Sequence, residues 1–256
     1  MRAILTIAGK DLRNLLTSPL FFVISGLCSV LWSYSYIRAL LSFAERSRMF
    51  MQPGAEAGMN LQREVFLMHI SQINLLFVFV VPALTMRLLA EEKRFRTYDL
   101  LLTSPISSTQ IALGKFLAGL GAVSALTLIS FLYPLLTRAV AEFPFAPLLS
   151  AYLGVLMVSS AYVAVGLFAS SLTESIMLSV VLGLIFNILL WFISQGAGSA
   201  ESMPLVSGVL EYMSLGQHFL NFIMGAIKLA SVVFLTSVIG LFVFLTQRVV
   251  ESSRWR

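Results

Sequence analysis

Charge is what this sequence has least of. Only 11% of its 256 residues are Asp, Glu, Lys or Arg, against roughly 25% in a typical soluble domain. Such a chain cannot present a polar surface on all sides, which excludes an ordinary water-soluble globule. Cys28 is its one cysteine, so neither an internal disulfide nor a paired-cysteine zinc site can form. Cys28 lies in an apolar run and reads as a small packing residue. The two histidines, His69 and His218, are far apart, and no HExxH motif occurs. Membrane hydrolases and transferases need clustered nucleophiles, bases or metal ligands, and no such cluster is visible. Gly114-Lys115 echoes the end of a phosphate-binding loop, but Thr109 and Phe116 stand where that loop needs Gly and Ser or Thr. The chain is therefore expected not to be an enzyme and to bind no nucleotide, cofactor or metal of its own.

What is present is apolar sequence. Hydrophobic residues make up 58% of the chain and the mean hydropathy is +0.91, so the bilayer is its natural solvent. Runs of about twenty apolar residues predict six spans, at 19–41, 66–89, 110–136, 146–170, 175–195 and 224–247. Pro82 falls inside the second and is expected to kink it without ending it. The expected fold class is an all-α integral membrane protein forming one compact membrane domain over 1–256, with no separate nucleotide-binding domain and no cleavable signal peptide. Residues 2–17 are too short and too charged to span. At about 100° per residue, Ile4, Leu5, Ala8, Leu12, Leu15 and Leu16 share one face, and Arg2, Thr6, Lys10, Arg13 and Thr17 the other. That pattern predicts an amphipathic helix lying in the membrane surface. The 196–223 segment, with Val209, Leu210, Met213, Leu220 and Phe222, reads as one or two short helices dipping back toward the bilayer.

The net charge of +5 lies in short loops, so it reads as a topology signal and not as a nucleic-acid surface. With the N-terminus inside, the inner segments hold eleven of the seventeen Lys and Arg and the outer segments six. This bias predicts cytoplasmic termini, against an outer 42–65 loop carrying three arginines.

Ionisable and polar groups within or near spans are candidate functional residues. Lys228 near the outer end of span six is expected to reach the interface, with Glu211 as a possible partner. Glu64 and His69 read as interface or packing groups before proton-relay groups. Asn187, deeper in span five, reads first as an interhelical hydrogen-bonding residue and second as a ligand contact. Gly114, Ala118 and Ala122 place three small residues on one face of span three, a seam for internal packing or for a second chain.

The inner segment 90–109 is the most informative. Glu91, Glu92, Lys93, Arg94 and Arg96 close span two. Thr97 to Thr103 then predicts a short helix carrying Leu100, Leu101 and Leu102, which Pro105 prevents from continuing. Ser107 with Gln110 predicts a capping box for span three. Exposed leucines in a loop need cover, from a partner's groove or from the headgroup region.

The stretch TMRLLAEEKRFRTYDLLLTSPISSTQIALGKFLAG, residues 85–119, resembles the junction between spans two and three of type-2 ABC exporter permeases. The acidic pair, the basic run, Thr97, Asp99, Leu101-Leu102, Pro105 and Gly114-Lys115 carry the likeness. Arg96 stands where glycine is common, and Tyr98 where leucine is. Residues 211–255 resemble the C-terminal part of the gliding-motility-associated permease subfamily, through His218-Phe219, Gly225, the FLT at 244–246 and the closing Arg254-Trp255. Lys228 there departs from the acid expected. The resemblance implies six spans in the bacterial cytoplasmic (inner) membrane, surrounded by membrane lipid. It also implies a coupling helix held by a separate ABC ATPase subunit, where ATP and Mg would reside. Glu91, Glu92, Arg94, Thr97, Asp99 and Leu101 are the residues it implies at that contact. A second permease chain, identical or related, and possibly an auxiliary transport-system protein would complete the assembly. A membrane scaffold or an ion-coupled carrier without an ATPase is the competing expectation.

Overall fold

The computed structural model describes residues 2–50, 60–193 and 204–254, and all regular structure among them is helical. The helices are α1 (Arg2–Leu16), α2 (Pro19–Phe50), α3 (Leu67–Arg94, preceded by a π-helical turn at Gln62–Phe66), α4 (Tyr98–Thr103) and α5 (Ser108–Thr137). They continue with α6 (Phe145–Leu172), α7 (Ile176–Phe192), α8 (Pro204–Met213), α9 (Leu215–Ile223) and α10 (Leu229–Ser252). Five of them, α2, α3 with its π turn, α5, α6 and α10, are long and apolar enough to cross a membrane. The fifth expected span appears as the shorter apolar helix α7. Its seventeen residues rise about 25 Å, somewhat less than the roughly 30 Å of a hydrocarbon core.

The centre of the bundle is α6. Its stretch from Val158 to Leu167 is buried throughout, which suits a helix apolar on every side. Small residues let its neighbours come close. An added Cβ on Gly166 would lie 2.2 Å from the Thr85 Oγ1 of α3, and one on Gly154 would lie 2.4 Å from the Phe222 Cβ of α9. On the α5 side, a Cβ on Gly119 would lie 2.8 Å from the Val163 Cγ1. The pairs Thr85/Gly166 and Ala90/Ser170 advance together along both helices, so α3 and α6 run parallel. A three-residue link joins α6 to α7, which returns antiparallel. Pro82 lies within α3 and does not end it, because α3 leans on α6 and α7 along its length.

Two features differ from the sequence expectation, each for a local reason. Helix α2 continues to Phe50 because no Gly or Pro interrupts 42–50. The last long helix begins at Leu229 and not at 224, because Gly225 adopts φ +82. There the Ala226 N–H bonds back to the Asn221 carbonyl at 2.9 Å, a Schellman-type stop to α9. Helix α1 packs on α5 with Ile7, Asp11 and Leu15 buried. Leu5 is left exposed on its other side. The two short helices expected in 196–223 are α8 and α9, and the part of that segment before Pro204 lies outside the described residues.

His69 and Glu64 take packing roles. His69 is buried among Trp32, Tyr36 and Tyr133, with Nε2 3.3 Å from the Ser130 carbonyl. Glu64 pairs with Arg46 at 2.7 Å and joins the π turn to α2. Close approach at α6 predicts a sharp positional contrast. Gly166→Ala should lower the thermal-unfolding midpoint of the purified chain, at a cost of about 1–3 kcal/mol. Gly240→Ala, where nothing lies within 4 Å of an added Cβ, should leave the midpoint unchanged or raise it.

Candidate functional site

The sequence motif at 90–109 folds as a short peg between two well-capped ends. Helix α3 stops because Arg96 enters the left-handed region at φ 56, with the Thr97 N–H bonded to the Glu92 carbonyl at 3.0 Å. Glycine favours this conformation because it has no Cβ, which is the physical reason a glycine suits this position better than an arginine. About two turns later Ser104 is extended at ψ 154 and Pro105 blocks continuation. Helix α5 then opens with the expected capping box. The Gln110 N–H bonds to Ser107 Oγ at 3.2 Å, and the Ser107 N–H to Gln110 Oε1 at 3.0 Å.

The peg is anchored by ionic and polar contacts that reach across the chain. Lys115 lies on α5, about two turns past the Ser107 cap, and its side chain is only 1% exposed. Its ammonium sits 3.0 Å from Asp11 Oδ2 of α1 and 2.8 Å from Glu92 Oε2 of α3. Three segments distant in sequence thus share one buried charge cluster. Lys93 Nζ donates to the Ser171 carbonyl at 2.5 Å and lies 5.3 Å from the centre of the Tyr98 ring. The Ser170 hydroxyl accepts from the Ala90 N–H at 2.9 Å and donates to the Met86 carbonyl at 3.0 Å. It therefore inserts into the hydrogen-bond ladder of α3 one turn before that helix ends. Tyr98 is buried beside Ser253 and Arg254 at the end of α10, and burial pushes its phenol above its ordinary value. Arg254 also donates to the Ile106 carbonyl.

The residues that the resemblance places at an ATPase contact separate into two groups. Glu92 faces inward on Lys115, and Glu91 pairs with Arg87 at 3.4 Å. Leu101 is half-buried against the chain's own core. Arg94, Thr97 and Asp99 are exposed, and Leu100 is the outward leucine at 73% exposure. The side chain of Leu102 lies outside the described residues. A cleft of about 570 Å³ opens beside the peg, between α1 and the end of α3, lined by Lys10, Asn14, Arg87, Glu91 and Phe95 among others.

Gly114, Ala118 and Ala122 are buried within this chain, and an added Cβ on Gly114 would lie 2.8 Å from the Ile7 Cγ2 of α1. Glu211 and Lys228 line a second cleft of about 450 Å³ with Tyr212, Gln217, His218 and Asn221. His218 is held there by Ser231 and the Tyr212 carbonyl. Among the described residues, no group of three or more His, Cys, Asp and Glu is placed to hold a metal ion. Sequence reasoning missed the Asp11–Lys115–Glu92 cluster. The signal available was a lysine inside a span, which needs a partner, but the chain offers twelve acids and spacing does not choose among them.

Helices of this length and composition define a multi-span membrane protein. A family model described as ABC-2 family transporter protein matches residues 65–246, well over half of the chain, and the chain belongs to that family. None of the curated proteins compared matches it. Membrane subunits of this family do not themselves hydrolyse ATP, and they generally pair with ABC ATPase subunits.

The charge cluster and the left-handed cap each generate a prediction. Lys115→Met leaves Asp11 and Glu92 buried without their cation and should cost about 3–5 kcal/mol, read as a lowered unfolding midpoint. Adding Asp11→Asn and Glu92→Gln should recover part of that loss. Arg96→Gly should raise the midpoint, by about 1 kcal/mol, because it removes the Cβ from a left-handed position.

Proposed function

We propose that this chain is the permease subunit of an ATP-driven exporter in the bacterial cytoplasmic membrane, with six spans and both termini in the cytoplasm. In this reading α7 is the fifth span, α1 is the interfacial helix, and residues 1–256 act as one permease domain. Two permease chains, identical or related, enclose a path for an unidentified substrate. An ATPase subunit docks beneath each chain and grips the 92–104 segment. The C-terminal likeness supports placement in the gliding-motility-associated permease subfamily.

The observation that carries this reading is α4 itself. It presents Leu100 and Asp99 outward, set between the left-handed stop of α3 at Arg96 and the capping box of α5, with Tyr98 of its first turn buried beside Ser253 and Arg254. An exposed leucine on a rigid peg suits a groove on a partner protein. Such a peg transmits force only if its contact differs between the two states of the transporter. Glu92 and Leu101 support the peg from within, and Arg94, Thr97, Asp99 and Leu100 form the outer surface offered to the ATPase.

The test is to purify the tagged chain in mild detergent and identify a co-purifying P-loop ATPase. Leu100→Asp should weaken that association by about 2 kcal/mol, roughly thirtyfold in Kd. Asp99→Lys, or Leu101→Pro, should uncouple ATP hydrolysis from transport while leaving membrane insertion intact. Unchanged transport in both would overturn the assignment of α4. Transport by the lone chain without an ATPase would favour a carrier, and an ATPase partner without ATP-dependent movement of substrate would favour a scaffold.

A further inference from the structure

Where α3, α6 and α7 cross, the bundle contains polar groups that lack partners among the described residues. A Cβ added to Gly183 of α7 would lie 3.1 Å from the Pro82 Cβ of α3 and 3.7 Å from the Gly166 Cα of α6. One turn along α7 is Asn187, which is fully buried. Neither its Oδ1 nor its Nδ2 has a hydrogen-bond partner among the described residues. One turn back along α3 is Val78. Pro82 has no N–H, so the Val78 carbonyl is denied its usual helical bond. Because α7 runs antiparallel to α3, Asn187 and Val78 lie on the same side of the crossing, each about 6 Å along its helix from the contact. One further turn along α3 is Asn74, also buried. Its Oδ1 accepts from the Tyr162 hydroxyl of α6 at 3.3 Å, and its Nδ2 is without a partner among the described residues.

A buried polar group left unpaired costs about 1–3 kcal/mol, and lipid offers it no remedy. By helical rise, Asn187 lies level with Val78 on one side of the crossing and Asn74 one turn beyond, so these groups are set along the same side of the α3–α7 contact. A buried water needs two to four such partners. We propose that Asn187, Asn74 and the Val78 carbonyl form a water-binding site inside the bundle. The Val78 carbonyl and Asn187 Oδ1 accept the hydrogens of water, and the amide Nδ2 groups donate to its oxygen.

The use of this site rests on the transporter reading. Water on the Val78 carbonyl lets α3 bend at Pro82 without leaving that carbonyl bare. The half of α3 that carries Glu91, Glu92 and the α4 peg can then move relative to the outer half.

The site is tested by hydroxyl-radical footprinting of the full chain in lipid nanodiscs, where radicals formed from bound water label adjacent side chains. Tyr162, bonded to Asn74, and Tyr152, bonded to the Ser130 carbonyl of α5, are both buried. Tyr162 should be labelled above Tyr152. In Asn187→Leu that excess should be lost, with the chain still folded by thermal unfolding. Pro82→Ala restores an N–H for the Val78 carbonyl and should also reduce the labelling. Equal labelling of Tyr162 and Tyr152 in the wild type, or labelling unchanged in both variants, would overturn the site. This measurement needs no ATPase, so its outcome is independent of the exporter assignment. The bending role is tested with the ATPase present. Asn187→Leu should lose transport while retaining ATP hydrolysis, and wild-type transport in that variant would overturn the role.

Discussion

A buried ammonium needs an anionic partner, because stripped of its carboxylates it is an uncompensated charge in a poorly polarisable interior. Lys115 meets that need with Asp11 and Glu92 together. The end of α3, the start of α5 and the length of α1 therefore behave as one body. Helix α4 hangs between the first two of these, so its base cannot shift without carrying α1 along. Because α1 is amphipathic and leaves Leu5 outward, a displacement at α4 is felt where α1 meets its surroundings as well as in the bundle.

The opposite constraint acts around α6, where contact is made by atoms that are missing. Gly166, Gly154 and Gly119 bring neighbouring helices so close that a single methyl group would collide. Packing of this kind leaves little room for a path through the middle of one chain. The outward faces of α2 and α10, by contrast, carry Phe22, Leu27, Val30, Val233 and Leu241 exposed. The Ser170 hydroxyl inserted in the α3 ladder and Pro82 mark two places where α3 departs from uniform helical bonding without ending.

Much of this architecture was legible in the sequence, because long apolar runs and strong punctuation are local signals. The Ser107–Gln110 box, the proline stop after α4 and the existence of each long helix follow from residues within a few positions of one another. The Gly225 stop was harder to read, since its left-handed turn interrupts an apolar stretch that hydropathy alone runs together. Contacts across the chain were not legible. Asp11 and Lys115 are about a hundred positions apart, and which leucine of the triplet faces outward depends on how α4 is seated by Tyr98 and the end of α10. Asn187 could be recognised as a polar residue in a span, but that it has no partner among the described residues could not.

Six residues are too few for an isolated helix in water, where nucleation is costly and even far longer helices are marginal. The rigidity of α4 must come from its surroundings. Arg96 fixes the angle at which the chain leaves α3, the capping box fixes the angle at which it enters α5, and Tyr98 buries the first turn beside Ser253 and Arg254. A peg made this way is only as stiff as those supports, so where Leu100 is presented depends on Lys115 and Tyr98, neither of which faces outward.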